Sequence, residues 1–313
     1  MDLLSSVLAT VRLKASGWHI CDFTAPWAIA TTRGFAEPFF LSIVGNDCWL
    51  TFEDNPPMRM KEGDLILVLR GGSYTVASDV QVPTVAWDDA FAPLPWSDGI
   101  KMTAPRRLSY GGGGAATRMI GAAFGFGNRG RNPLLSALPP YICLANRHSH
   151  LLPVFRFARE FLEGEEQHPM PGYSAVAERM AELVFINIIR SHLRLQPDET
   201  TGWLRGLSDT RIARALAAIH ERPDQPWTVS TLAKEASMSR AVFAQKFHAL
   251  IGRSPGDYLT EWRIYLAAGQ IATSVKPIAT IAAEVGYQSV NAFTHAFKRS
   301  YGSTPGEYRN ARK

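Results

Sequence analysis

Two groups of short polar and basic side chains near the end of this 313-residue chain have the clearest chemical capacity. The first is Ser239, Arg240, Ala241, Ala244, Gln245 and Lys246; the second is Ser289, Val290, Asn291, Thr294, His295, Lys298 and Arg299. Helical spacing puts Arg240, Ala241, Ala244, Gln245 and His248 on one helix face, and Val290, Asn291, Thr294, His295 and Lys298 on another. Asn and Gln can bond adenine in a bidentate way, and Thr or Ala can touch the thymine methyl. Lys246, Arg253, Lys298 and Arg299 flank these faces and are suited to neutralising phosphates. The chemistry on offer is recognition of a duplex. A merely solvated helix face accounts for one such group but poorly for two in register.

The elements that must carry these groups are written twice. Phe243, Phe247, Gly252, Pro255, Gly256 and Tyr258 recur 50 places later as Phe293, Phe297, Gly302, Pro305, Gly306 and Tyr308. Upstream the offset is 49, pairing Leu232, Ala233, Glu235 and Ala236 with Ile281, Ala282, Glu284 and Val285. The second copy therefore holds one extra residue between its helices, and a repeat altered only at its turn reads as a duplicated helix–turn–helix. In the first copy Val229, Leu232, Ala233 and Ala236 mark the supporting helix, with Thr228 or Ser230 as its cap. Ser237-Met238-Ser239 turns the chain, and the next helix runs from about Arg240 to Leu250, burying Val242, Phe243, Phe247 and Leu250. In the second copy Gly286-Tyr287-Gln288 is the turn and Ser289 the cap. Residues 257–273 form one linking helix of roughly 25 Å, which suits two reading helices in successive major grooves roughly 34 Å apart.

Residues from about 208 to 309 resemble the DNA-binding domain of the AraC/XylS family of bacterial transcription regulators. The matching stretches are RIARALAAIHERP, WTVSTLAKEASMSRAVFAQKF, GRSPGDYLTEWRIYLAAGQI and IATIAAEVGYQSVNAFTHAFKRSYGSTPGEYR. The resemblance implies that Arg240, Ala241, Ala244 and Gln245 face bases from the first helix, and Val290, Asn291, Thr294 and His295 from the second. With two alanines there, the first helix leans on apolar contacts. The expected partners are double-stranded promoter DNA and RNA polymerase.

Charge follows the same division. From Ser208 to Lys313 there are 14 Lys and Arg against 8 Asp and Glu, a net +6, which leaves −1 for residues 1–207. The positive excess sits where a polyanion would meet the chain. No run of apolar residues is long enough for a membrane helix, and MDLLSSVLATVRLK lacks the features of a secretory leader. Three scattered cysteines, Cys21, Cys48 and Cys143, suit a reducing cytoplasm.

Residues 17–130 change character. WHICDF, WAIATT, PFFLSIV, CWLTFE, MRM, DLILVLR and SYTVAS alternate apolar and polar residues between turn sequences such as GND, EDNPP, KEGD and RGG, which predicts an antiparallel β-barrel or jelly roll. PWAIATT, FFLSIVGNDCWLTF, MRMKEGDLILVLRGGSYTVASD and NPLLSALPPYICL resemble the cupin-type sensor domain often joined to AraC-type domains, over about residues 3–195. That resemblance places His where this chain has Phe40 and Tyr74. Glu37 and His19 alone do not make a site, so no metal and no other cofactor is expected. Phe39, Phe40, Trp49, Tyr74, Trp87 and Trp96 offer walls for a small organic effector, or simply fill the core. Within that set, Phe40, Trp49 and Tyr74 are the candidate effector contacts.

Gly111–Gly114 lacks the Lys-Ser/Thr of a phosphate loop and reads as a flexible loop. His148-Ser149-His150 reads as the polar start of a helix. Residues 1–16 predict a short amphipathic helix, and Leu151–Leu195 predicts two more, the second with a stripe of Val176, Met180, Leu183, Asn187 and Ile188. The expected architecture is multidomain: a cupin-like β-barrel with flanking helices over 1–195, a linker over 196–207, and an all-α domain with two helix-turn-helix motifs over 208–313. The expected function is a sequence-specific, non-enzymatic regulator, with homodimerisation assigned to the first domain. The rival is a metal-dependent cupin oxygenase or isomerase with a helical appendage; redox sensing by the cysteines is a further alternative.

Overall fold

The computed structural model describes residues 3–11, 13–31, 38–52, 55–70, 72–91, 104–126, 133–146, 153–195 and 201–311. Glu37, Trp96, His148-Ser149-His150 and the first part of the expected linker lie outside these residues. The chain divides into two compact units: Leu13–Gly125 with Pro139–Gln196, and Met1–Arg12 with Phe126–Leu138 and Pro197–Lys313.

In chain order, α1 (Leu3–Val11) precedes β1 (Leu13–Thr24), β2 (Ala28–Thr31), β3 (Phe39–Gly45), β4 (Cys48–Phe52) and β5 (Met58–Met60). Then come β6 (Leu65–Val68), β7 (Tyr74–Ala77), β8 (Val85–Ala86), α2 (Trp87–Ala90), β9 (Arg106–Gly111) and β10 (Ala116–Phe126). They are followed by α3 (Pro133–Ala137), β11 (Tyr141–Leu144), α4 (Pro153–Gln167) and α5 (Tyr173–Leu195).

Among the described residues the strands make two sheets, β11-β6-β3-β10-β1-β9 and β5-β4-β7-β2-β8, and do not close into a barrel, the first of the two expected architectures. Alternating burial tells which face of a strand is packed, but not whether sheet edges join, so the pattern in WHICDF or FFLSIV suits either architecture. Phe23, Ile43, Leu50, Met60, Val68 and Val76 share the core of this unit. Successive residues of β3 go opposite ways, as a strand's period of two requires. Phe39 meets Tyr74 at 5.2 Å, whereas Phe40 packs against Trp18, Phe124 and Phe155 at 5.2, 5.7 and 6.0 Å. Trp18 also donates its indole N–H to Ala177 O of α5 at 2.8 Å.

Gly111–Gly114 joins β9 to β10 and is held to its neighbour rather than free: Gly112 and Gly114 donate to Thr24 O and Ala25 O, each at 2.8 Å, and Gly113 donates to Thr24 Oγ1 at 2.9 Å. On α5 the stripe read from the sequence is split. Met180 and Ile188 are buried, while Val176 and Leu183 are 43% and 49% exposed.

The helical unit continues with α6 (Gly202–Gly206), α7 (Thr210–Glu221), α8 (Val229–Glu235), α9 (Arg240–Ile251) and α10 (Pro255–Thr273). It ends with α11 (Ile278–Glu284), α12 (Val290–Tyr301) and α13 (Pro305–Asn310). α1 packs on α7, and α3 packs on α6. The Trp203 indole donates to Pro133 O at 3.0 Å, and the Thr201 N–H to Ala137 O at 3.2 Å, so the stretch leading into α7 is docked through buried Trp203 and Leu204. Asp209 caps α7 by accepting from the Arg211 and Ile212 N–H groups.

Candidate nucleic-acid interface

Both helix pairs are built by the same local chemistry. Thr228 caps α8 in a reciprocal box with Thr231. At the end of α8, Ser237 N–H bonds Lys234 O and Met238 N–H bonds Ala233 O, both at 2.9 Å. The second pair repeats this 49 residues later: Gly286 N–H bonds Ala283 O at 3.0 Å and Tyr287 N–H bonds Ala282 O at 2.9 Å. These paired bonds are the Schellman ending of a helix, which requires a left-handed residue. Gly286 supplies it at φ 88, and Ser237 supplies it at φ 51 in spite of its side chain. The inserted residue of the second copy is therefore Gln288, after the turn is closed and before Ser289 caps α12. Ser239 and Ser289 accept from the Val242 and Ala292 N–H groups, each at 3.4 Å.

Phe243, Phe247, Phe293 and Phe297 are fully buried and orient α9 and α12 on their supports. Each such burial stabilises by about 1.5–3 kcal/mol. The opposite faces stay outward. Ser239, Arg240, Ala241 and Gln245 are exposed, with Ala244 and Lys246 half-buried; Ser289, Val290, Asn291, His295, Lys298 and Arg299 are exposed, with Thr294 half-buried. The 19 residues of α10 lie between the pairs, giving a rod of roughly 28 Å. Its Arg263 donates to Pro223 O at 2.7 Å and to Gln225 O at 2.8 Å, and its guanidinium lies 5.8 Å from the Tyr287 ring centre. One side chain of the rod thus reaches both the loop before α8 and the turn before α12.

Two placements differ from expectation. Val242, read as core, is 52% exposed. Its partner in the repeat is Ala292, not a large apolar residue, and that was the available signal. Leu250 is only half-buried, and Ile251 takes the buried position at the helix end. Lys246 pairs with the Asp209 carboxylate, so its charge already has a partner. Arg253 is likewise paired with Glu261. Arg240, Lys298 and Arg299 form no salt bridge among the described residues and are exposed.

The Lys246 ammonium, together with the two capping N–H groups, holds the Asp209 carboxyl below the ordinary 3.8. A carboxyl that titrates lower when folded adds stability above its unfolded value and loses it as the pH falls. Asp209→Asn keeps a capping oxygen and removes the charge. We expect the variant to melt below the parent at pH 7, and the gap to close as the pH drops under 3.8, read by circular dichroism. A gap that does not narrow as the pH falls would show that the ion pair with Lys246 is not its cause.

The sheet unit offers a weaker site. Phe40 and Tyr74 border a cavity of about 60 Å³ that Trp49 does not line. The ring of Phe40 faces Trp18 and Phe155, so the three candidate effector contacts do not converge. Burial pushes the Cys21 and Cys48 thiols up to about 12, with Asp22 and Asp47 adding repulsion. Thiols so raised are poor nucleophiles and poor oxidant sensors. Burial also lowers His19 to about 4. Among the described residues, no three His, Cys, Asp or Glu side chains gather as metal ligands.

A family model described as a cupin matches residues 2–194, and one described as a helix-turn-helix domain matches residues 232–311. A putative AraC-like transcription regulator from Streptomyces antibioticus is 36% identical over 318 residues, covering 99% of this chain and 98% of the relative. The HTH-type transcriptional regulator AlkR of Acinetobacter baylyi is 30% identical over 312 residues and 99% of each chain. Among solved structures, the DNA-binding domain of AdpA in complex with a target DNA is 33% identical, covering 32% of this chain and 89% of that one, with a TM-score of 0.31.

Proposed function

The chain belongs to the AraC-like transcription regulators, and on that premise we propose that it reads double-stranded promoter DNA with two helix-turn-helix units, α8–α9 and α11–α12, held apart by α10. It is a regulator and not an enzyme. The observation that carries the proposal is the pair of outward faces on α9 and α12, each placed by the same hydrogen-bonded turn and the same two buried phenylalanines.

In this reading Arg240, Ala241, Ala244 and Gln245 meet one major groove, and Val290, Asn291, Thr294 and His295 the next. Val242 and Val290 add apolar contact for thymine methyls. Lys298 and Arg299 supply the phosphate contacts that give affinity and salt dependence. Lys246 instead fixes α9 to the start of α7. Residues 208–313 form the DNA-reading domain, joined through 196–207 to a sensing region over 1–195, with α1 and α3 packed on the helical unit.

A small-molecule signal acts through the region over 1–195. A homodimer forms through α5, where Val176 and Leu183 share an exposed face with i, i+7 spacing. RNA polymerase is the downstream partner, and the protein works in the cytoplasm. No helix among the described residues is long and apolar enough to cross a membrane.

Selection of bound duplexes from a random pool tests the proposal. We expect enrichment of a site with two conserved blocks. Recovery of unrelated sequences would leave only backbone binding and would remove the assignment of base contacts.

A further inference from the structure

Within the helical unit lies a hollow of about 470 Å³, walled on one side by α3 and the Thr201–Trp203 stretch and on the other by α10 and the end of α12. Five rings line it: Trp203, Tyr258, Trp262, Tyr265 and Tyr301. Several of these are fixed before any ligand arrives. Trp203 donates to Pro133 O, Tyr258 Oη lies 2.7 Å from His220 Nε2, and Trp262 stacks on His220 with centres 3.9 Å apart. Small-molecule sites occupy roughly 300–1,000 Å³ and combine mostly apolar walls with a few polar groups.

Three other hollows among the described residues do not meet both conditions. A groove of about 550 Å³ beside His248 and Arg299 has no Trp, Tyr or Phe among the described residues of its lining. One of about 570 Å³ beside α4 has Phe155 as its only ring among the described residues. The cavity in the sheet unit is apolar but, at about 60 Å³, holds no more than a few atoms.

The polar groups of the ring-lined hollow set the chemical class. Arg253 and Glu261 both line it and are paired with each other, each about half exposed. An anion drawn to Arg253 meets the Glu261 carboxylate, and a cation drawn to Glu261 meets Arg253. The neutral hydrogen-bonding groups are Ser300 and the hydroxyls of Ser136 and Thr201, which donate to Pro133 O and Ala137 O and can still accept. We propose that this hollow binds a planar aromatic molecule with a neutral hydrogen-bonding group, such as a hydroxyl, at its edge. A molecule held there touches α3 and the rod between the reading helices at once.

The test uses the full chain labelled with 5-fluorotryptophan and 2-naphthol as the probe, with 2-naphthalenesulfonate as its anionic counterpart. We expect saturable binding of one naphthol per chain, with fluorine resonances of Trp203 and Trp262 shifting and those of Trp18 and Trp27 unmoved. Ser136→Trp, at an exposed position of α3 on the wall of the hollow, weakens naphthol binding by about tenfold or more. The sulfonate binds at least about tenfold more weakly. If Ser136→Trp does not fold, the resonance pattern alone decides. No saturable binding, shifts at Trp18 or Trp27 instead, or naphthol binding unmoved in folded Ser136→Trp overturns the site; equal or tighter binding of the sulfonate overturns the ligand class. The readout is binding to the protein, so failure leaves the DNA assignment untouched.

Discussion

Asn291→Ala is expected to weaken binding to a selected duplex by about 5- to 150-fold, corresponding to the roughly 1–3 kcal/mol of one good base contact. Binding to random duplex should change by less than about twofold, since a neutral side chain contributes little to the charge-driven part of affinity. Asn291 is exposed on the outer face of α12, two residues beyond the Ser289 cap, and Phe293 and Phe297 anchor that helix from the other side. Removing its amide therefore costs contacts with DNA and little in folding. Titrations by fluorescence anisotropy at several salt concentrations separate the two components. Equal weakening on specific and random DNA would make Asn291 a backbone contact and shift base reading to its neighbours.

A large folding effect is expected at Gly286. Its φ of 88 is left-handed, and a Cβ there would lie 2.6 Å from Asp224 O and 2.7 Å from an Arg263 guanidinium nitrogen. The left-handed conformation alone costs a non-glycine residue about 1–3 kcal/mol. The overlap with backbone at Asp224 cannot be relieved by turning a side chain, and moving Arg263 loosens the clamp on Pro223 and Gln225. We expect Gly286→Ala to lose about 3 kcal/mol in denaturant unfolding, at the upper end of ordinary single substitutions. At the equivalent position in the first pair, Ser237→Gly should do the reverse. It removes a left-handed side-chain penalty of about 1–2 kcal/mol and pays about 0.5–1 kcal/mol in chain entropy, for a gain of about 0.5 kcal/mol. Stabilities that fail to move in opposite directions would show that the two turns are not equivalent.

That equivalence was legible in the sequence because the repeat keeps Phe, Gly and Pro in register and yields only at the turn. A core phenylalanine and a helix-ending glycine have few substitutes, so their recurrence at one offset carries geometry. The outward residues followed from it, with Val242 as the exception. Ion pairing across the fold was not legible. Nothing local to Lys246 points to Asp209, and nothing local to Arg253 decides between Glu261 and a phosphate.

In the sheet unit, alternation in β1 to β7 marked strands well. β9 and β10 were missed because they flank a glycine run, and β9 joins by parallel pairing with β1, far away in sequence. Whether the strands closed into a barrel depended on edges that periodicity does not describe. The packing of α1 and α3 with the C-terminal helices depends on contacts far apart in sequence, 70 residues from Trp203 to Pro133 and further still from α1 to α7. Short-range patterns give no warning of these.

The central claim is that one chain reads two adjacent major-groove segments at a separation set by α10. It is tested most directly by measuring the affinity of the full chain for its selected duplex and for the same duplex with five base pairs inserted between the two blocks. Half a turn of added DNA carries one block to the opposite side of a helix that repeats every 10–10.5 base pairs. The account predicts that affinity falls to that of a duplex with one block alone. Undiminished binding with the insertion in place would contradict it, because a rigid rod could no longer hold both helices in their grooves.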